Sequence, residues 1–89
     1  MSEFAWDDEK DSFLREARGV SFEDILFHLG NGDLLDVIRH PNAERYPNQL
    51  VMVVNVDGYA YLVPYVKEGG RRFLKTIIPS RRATREYLE

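Results

Sequence analysis

Two apolar runs, residues 50–56 and 59–66, flank the dipeptide Asp57-Gly58, and this pattern most constrains the fold. Asp-Gly is a favoured two-residue hairpin turn, because both residues tolerate the positive φ angles that the turn requires. A two-residue turn also defines the register, so the two residues that flank it are predicted to lie opposite each other. The centre of the chain is therefore predicted to be an antiparallel hairpin.

Two short helices are predicted before the hairpin, since apolar residues recur there at helical spacing. The first covers residues 7–18 and the second begins at residue 22. Their end signals are Asp7 or Asp8 as N-cap and Gly19 as stop for the first helix, and the Ser21–Asp24 capping box and residues 30–32 for the second.

The other predicted elements are an edge strand or anchoring segment at 4–6, a strand at 34–38, a loop at 40–48, a tight turn at 69–70, a strand at 72–78 ended by Pro79, and a helix from its cap Ser80 to Leu88. The predicted class is α+β, with N-terminal helices packed on an antiparallel β-sheet and a C-terminal helix. Residues 1–89 are expected to form one domain.

Both faces of the predicted sheet are largely apolar. The first face is predicted to carry Leu50, Met52, Val54, Val56, Tyr59, Tyr61, Val63, Tyr65, Arg72, Leu74, Thr76 and Ile78, and the second Val51, Val53, Ala60, Leu62, Val66, Phe73 and Ile77. The N-terminal helices can cover one face, so the C-terminal helix or a partner must cover the other. An uncovered face predicts self-association into a homo-oligomer. Pro64 predicts a bulge or a free edge, because proline cannot donate to the ladder.

Composition excludes several kinds of site. The chain has no cysteine and two histidines without metal-binding spacing, so no metal or other cofactor is expected. No glycine-rich phosphate loop and no nucleophile elbow occurs. The N-terminus lacks the pattern of a signal peptide, and no apolar run approaches the roughly 20 residues of a membrane span. A cytoplasmic protein without membrane contact is therefore expected.

Charge is distributed unevenly along the chain. Residues 1–33 hold nine acidic and three basic side chains, whereas residues 67–89 hold seven basic and three acidic ones, in a protein of net charge −3. A basic end in an acidic chain predicts a local anion-binding face. The alternative is that these arginines only form the solvated side of a terminal helix.

The basic end suits RNA. Arginine binds a phosphodiester with two N–H groups and stabilises the additional charge of a pentavalent transition state. RNA supplies its own nucleophile, the 2′-hydroxyl, so cleavage needs a base, a charge clamp and a stacking surface but no metal. The candidate catalytic residues are Arg81, Arg82, Lys75, Arg72 and His40, and the candidate RNA-binding residues are Lys10, Arg71, Arg85, Tyr65 and Tyr87.

Three short motifs resemble one known family. Trp6-Asp7-x-x-Lys10, then Arg18-Gly19-Val20-Ser21-Phe22-Glu23, and finally Ile77-Ile78-Pro79-Ser80-Arg81-Arg82-Ala83-Thr84 are similar to segments of the BrnT toxins of type II toxin–antitoxin systems. Lys10, Arg81 and Arg82 match the family motifs by position. Ala17-Arg18, Leu14 and Pro79 depart from the family pattern.

The resemblance implies a RelE-like fold and a single toxin-like domain. It also implies an endoribonuclease that inhibits translation and is held inactive by a cognate antitoxin, such as a ribbon-helix-helix protein. In such pairs DNA is bound only indirectly, through the antitoxin. Two alternatives stay open: a non-catalytic protein-interaction domain of the same fold, and an RNA-binding module that stacks bases on Tyr59, Tyr61 and Tyr65. Alternation and the hairpin register favour the core over a stacking surface for those tyrosines.

Overall fold

Two helices near the N-terminus begin and end where their sequence signals predict. The computed structural model describes residues 3–89, beginning with strand β1 (Phe4–Ala5) and helix α1 (Asp8–Arg18). The Asp7 carboxylate accepts the Glu9 N–H at 3.0 Å, and Gly19 ends α1 with a φ of 67°. Helix α2 (Phe22–Gly30) begins with the predicted capping box, both of whose hydrogen bonds are present.

Asp11 ties the two helices together. It is a buried carboxylate on α1 that accepts the Phe22 N–H at 2.8 Å and pairs with Arg15 at 2.9 Å. The α2 N-terminus is a favourable place for this charge, because its first N–H groups have no partner within the helix. The two helices are thereby held together.

The sheet is built around the predicted hairpin. Its further strands are β2 (Leu34–Arg39), β3 (Gln49–Val56), β4 (Tyr59–Glu68), β5 (Arg71–Leu74) and β6 (Ile78–Pro79). The predicted register is confirmed, with Val56 opposite Tyr59. The spatial order is β1-β5-β4-β3-β2, and β6 also pairs with β4. The sheet is mixed rather than purely antiparallel, because β1 runs parallel to β5.

The prediction of one strand over residues 72–78 is wrong, because that segment is split into β5 and β6. Between the pairs Tyr65–Leu74 and Leu62–Ile78, β4 advances by three residues and its neighbour by four. One residue is therefore extra, as in a β-bulge. The break lies beside Pro64, which has no N–H and whose carbonyl accepts the Lys75 N–H at 2.8 Å. The predicted interruption at Pro64 is confirmed.

The extra residue changes which side chain enters the core. Ile77, predicted on the second face, is fully buried against the first face, whereas Ile78, predicted on the first, is 38% exposed. A shift of one residue exchanges the faces of all following side chains, because strand side chains alternate.

Two apolar layers flank the sheet. The first core contains Leu14, Val20, Phe22 and Ile25 from the helices and their loop, and Met52, Val54, Val63, Tyr65, Leu74 and Ile77 from the sheet region. Helix α3 (Arg81–Leu88) covers part of the second face. There Ala83 packs with Val53 and Ala60, and half-buried Leu35, Ile38, Leu62, Tyr87 and Leu88 surround them. The chain's own C-terminal helix therefore provides part of the cover that the second face was predicted to need, and the homo-oligomer stays a prediction.

Candidate functional site

The corner between β6 and α3 is held by the hydroxyls of Ser80 and Thr84. Ser80 caps α3 by accepting the Ala83 N–H at 3.0 Å. The Thr84 hydroxyl donates to the Ser80 carbonyl at 2.8 Å and accepts the buried Ala60 N–H at 2.9 Å. The Ala60 carbonyl in turn accepts the Ser80 N–H at 3.0 Å. The start of α3 is therefore attached firmly to β4, which gives the following arginines a defined position.

A cleft of about 250 Å³ lies beside this corner, between α3 and the end of β2. Its apolar lining is Ile38, Pro41, Val53, Leu62 and Ala83, and its polar lining is Ser80, Arg82, Glu86 and Tyr87. We call it the α3 cleft. Polar groups on one wall and an apolar floor suit a ligand that has both a charged and a flat apolar part.

The polar wall of the α3 cleft carries a cation and an anion side by side. Arg82 Nε donates to Glu86 Oε1 at 3.1 Å, one helical turn away. Since only Nε is used, both Nη groups stay available for two oxygens of one phosphate. The two side chains are 85% and 55% exposed, so the pair adds little to stability and is accessible to a ligand.

Tyr87 links the cleft to the outer strand. Its hydroxyl donates to Asp36 Oδ2 at 2.6 Å. This hydrogen bond, together with desolvation and the negative charges of Asp36 and Glu86, raises the pKa of the Tyr87 phenol above its ordinary value of 10.0. Tyr87 therefore stays protonated at neutral pH and cannot act as a general base there. Its ring forms a wall of the cleft.

Only some of the predicted residues meet at the α3 cleft. Arg82 and Tyr87 line it. Arg81 and Arg85 lie on α3 outside the lining, exposed and without an ion pair among residues 3–89. His40 precedes the cleft residue Pro41 but does not line the cleft. Its Nδ1 accepts the Asn42 N–H at 3.0 Å, and its ring lies 4.6 Å from that of Tyr46.

Four predicted cations lie elsewhere. Arg71 and Arg72 begin β5, where they lie opposite the last residues of β4, and Arg72 pairs with Glu3 at 2.9 Å. Arg72 stands opposite Lys67 of β4. Lys67 lies about 20 Å along β4 from Tyr61, which pairs with β6. Lys10 Nζ lies 5.4 Å from the Phe13 ring on α1, and Lys75 Nζ lies 5.4 Å from the Phe73 ring.

Tyr65 was predicted to bind RNA, and its burial contradicts this. Only 4% of it is exposed, and it packs in the first core against the helices. Base stacking requires an accessible ring face. The alternative expectation, that alternation places the tyrosines in the core, is confirmed for Tyr65. Tyr59 and Tyr61 are half-buried.

Two acidic residues of this site were missed from sequence. Glu86 stands four residues after Arg82, a spacing that puts both on one helix face and could have identified it. Asp36 had no such signal, because it meets Tyr87 from a strand 51 residues away.

Among the described residues, no group of His, Cys, Asp and Glu is arranged to hold a metal ion. None of the described helices is both long and apolar enough to span a membrane. Comparison of the chain with protein-family models, curated proteins and solved structures found no match. The site must therefore be interpreted from its own chemistry.

Proposed function

We propose that this protein is the toxin component of a type II toxin–antitoxin pair, and that it is a metal-independent endoribonuclease that inhibits translation. The observation that carries the proposal is the Arg82–Glu86 pair, which stands accessible at the mouth of the α3 cleft. The resemblance of the end motifs to BrnT toxins supports it, since Arg82 is one of the matching positions. An α+β fold with three described helices on a mixed sheet is compatible with a RelE-like toxin.

In the proposed reaction Glu86 takes the proton of an RNA 2′-hydroxyl. The resulting 2′-oxygen attacks the adjacent phosphorus, the bond from phosphorus to the 5′-oxygen breaks, and a 2′,3′-cyclic phosphate forms. The leaving 5′-oxygen receives a proton from water, and Glu86 then releases its proton to the solvent. Arg82 stabilises the pentavalent phosphorus through its two Nη groups. No metal is required, because the Arg82 guanidinium stabilises the negative charge that develops on the non-bridging phosphate oxygens.

The remaining exposed arginines of α3 have a binding role in this proposal. Arg81 and Arg85 are four residues apart and flank the cleft rather than line it. They hold neighbouring phosphates of the strand. Binding by such contacts weakens as salt concentration rises, because each neutralised phosphate releases counterions.

The proposed setting is the cytoplasm, where the RNA targets of translation inhibition are found. A cognate antitoxin holds the protein inactive, and contact with DNA occurs only through that antitoxin.

The experiment that tests the proposal measures RNA cleavage in EDTA by the purified wild type and by Arg82→Ala and Glu86→Gln. Both substitutions are expected to lower kcat by about 100-fold or more, the typical contribution of a positioned acid–base or oxyanion group. Glu16→Gln, an exposed carboxylate of α1, is the matched control and retains full activity. Detection of a 2′,3′-cyclic phosphate end identifies the chemistry. A wild type that cleaves no RNA, and that does not arrest growth when expressed alone, refutes the enzyme.

The second candidate is a non-catalytic interaction domain of the same fold. It is favoured by exposed apolar side chains on the other face of the sheet, Leu34 and Val37. A stable complex with a partner, together with no cleavage by the free chain at any concentration, distinguishes it from the nuclease.

A further inference from the structure

The side of the sheet opposite the α3 cleft carries a second concavity, which we call the β2 groove. It has a volume of about 240 Å³ and is lined mainly by apolar groups, among them Leu29, Leu34, Val37 and Met52. Leu34 and Val37 are each 43% exposed. Most of the lining residues are apolar side chains of neighbouring strands, so the groove suits apolar side chains of a larger partner.

The groove crosses one face of the sheet from β2 to β5, and only its β2 end lies at the sheet edge. That edge is protected against addition of another strand. The backbone N–H of His40 donates to the Gln49 carbonyl on β3. Backbone N–H groups alternate in direction along a strand, so the N–H of Val37, three residues earlier, points away from β3. The Asp36 side chain accepts this N–H at 2.8 Å. A register irregularity between Leu34 and Asp36 also distorts the edge. An occupant must therefore dock through side chains, and a strand that extends the sheet is disfavoured.

Positive charge lies beside the groove. Arg72 lines it, and Arg39 and Lys67 each lie two residues along a strand from a lining residue, Val37 and Tyr65. Arg39, Lys67 and Arg72 lie on the same face of the sheet, since they pair across neighbouring strands with residues of that face or with each other. Arg72 is paired with Glu3. Arg39 and Lys67 are exposed and make no ion pair among residues 3–89. An apolar strip with unpaired cations beside it complements apolar side chains flanked by carboxylates.

Charge complementarity selects an acidic occupant, because Arg39 and Lys67 have no ion-pair partner among residues 3–89. A second copy of the chain is the competing occupant, which a concentration-dependent dimer identifies.

We propose that the β2 groove binds an acidic amphipathic helix of a partner protein. Apolar side chains of that helix, spaced three or four residues apart, pack on Leu34 and Val37, and its carboxylates pair with Arg39 and Lys67. The protected edge disfavours strand addition, which leaves a helix as the regular element that can present its side chains to the groove. The acidic character follows from the unpaired cations. Since the groove and the α3 cleft lie on opposite faces of the sheet, the occupant leaves Arg82 uncovered. The inference holds whether or not the protein cleaves RNA.

The test is selection from a display library of helical peptides about 15 residues long, with acidic, neutral and basic members, against the folded full chain. Acidic amphipathic peptides are expected to be enriched. Their affinity is expected to fall about tenfold for Val37→Lys and for Arg39→Glu, and to fall as salt concentration rises. The matched controls are Phe13→Lys and Arg85→Glu, which make the same changes at exposed positions of α1 and α3 and are expected to leave affinity unchanged.

Other results overturn the proposal. These are enrichment of neutral or basic peptides, failure to enrich any peptide, or equal binding to wild type and Val37→Lys. A concentration-dependent dimer that Val37→Lys dissociates identifies a second copy as the occupant instead. Circular dichroism of each variant checks that the fold is retained, which the exposure of both substituted side chains favours.

Discussion

The Tyr87 hydroxyl donates a hydrogen bond of 2.6 Å to Asp36 Oδ2 and so joins α3 to the outer strand β2. The other oxygen of the same carboxylate accepts the Val37 N–H at 2.8 Å. Asp36 therefore has two functions: it anchors the helix that carries Arg82, and it occupies a donor on the sheet edge. One carboxylate couples the position of the proposed active site to protection of the edge.

Tyr87→Phe is expected to lower the midpoint of thermal unfolding, because the Asp36 oxygen loses its phenol donor while the ring that packs in the second core is kept. The same substitution is expected to loosen the C-terminal helix selectively. Hydrogen exchange of α3 amides measures this, with amides of α1 as the internal reference. Equal exchange in the two proteins contradicts an anchoring role for the hydroxyl.

The same hydrogen bond makes the free energy of unfolding depend on pH in the alkaline range. Because the pKa of Tyr87 in the folded state is raised above its value in the unfolded state, about 10, folding favours the protonated phenol. The stabilisation is fully present below pH 10 and is lost as pH rises through the folded-state pKa. Urea unfolding between pH 8 and pH 12 is expected to show the wild type losing more stability than Tyr87→Phe. If the free energies of unfolding of the two proteins change equally with pH, ionisation of Tyr87 is not linked to folding.

Thr84→Val is expected to destabilise the fold by about 1–3 kcal/mol, since the buried Ala60 N–H then has no acceptor. Thr84→Ser retains the hydroxyl and serves as the control, with a smaller loss. Chemical denaturation measures both free energies of unfolding. If the valine variant is as stable as the serine variant, the Ala60 N–H donates to another acceptor when the Thr84 hydroxyl is removed.

Ile77 and Ile78 form a matched pair of adjacent residues for testing the bulge. Ile77→Ala is expected to cost about 2–5 kcal/mol, because the side chain is fully buried in the first core. Ile78→Ala is expected to change stability by only about 0.5 kcal/mol, as is usual for exposed positions. If Ile78→Ala costs more stability than Ile77→Ala, residues 72–78 form one continuous strand without the extra residue.

Most of the local structure was predictable because its causes are local. The Ser21–Asp24 capping box, the stop at Gly19 and the Asp57-Gly58 turn act through neighbouring residues, and each element begins or ends as predicted. The predicted cap Ser80 also starts α3. The prediction of the strand at 72–78 is wrong, because the neighbour that interrupts it, Pro64, belongs to another strand.

The candidate site was less predictable than the fold. Arg82 and Tyr87 were found from charge and residue type, but the same criteria also selected Arg72, Lys75 and the buried Tyr65. Charge along a chain indicates that cations are present, whereas the sheet decides which of them share a surface.

By itself, the sequence determined the caps, the hairpin register and a basic C-terminal end, since each depends on backbone preferences or composition within a few residues. Tertiary structure alone decided that Ile77 rather than Ile78 is buried, that Arg82 and Glu86 stand over an apolar cleft, and that Asp36 reaches Tyr87. The physical reason is that pairing across strands and packing of a helix on a sheet bring distant residues together. No local pattern encodes those distances.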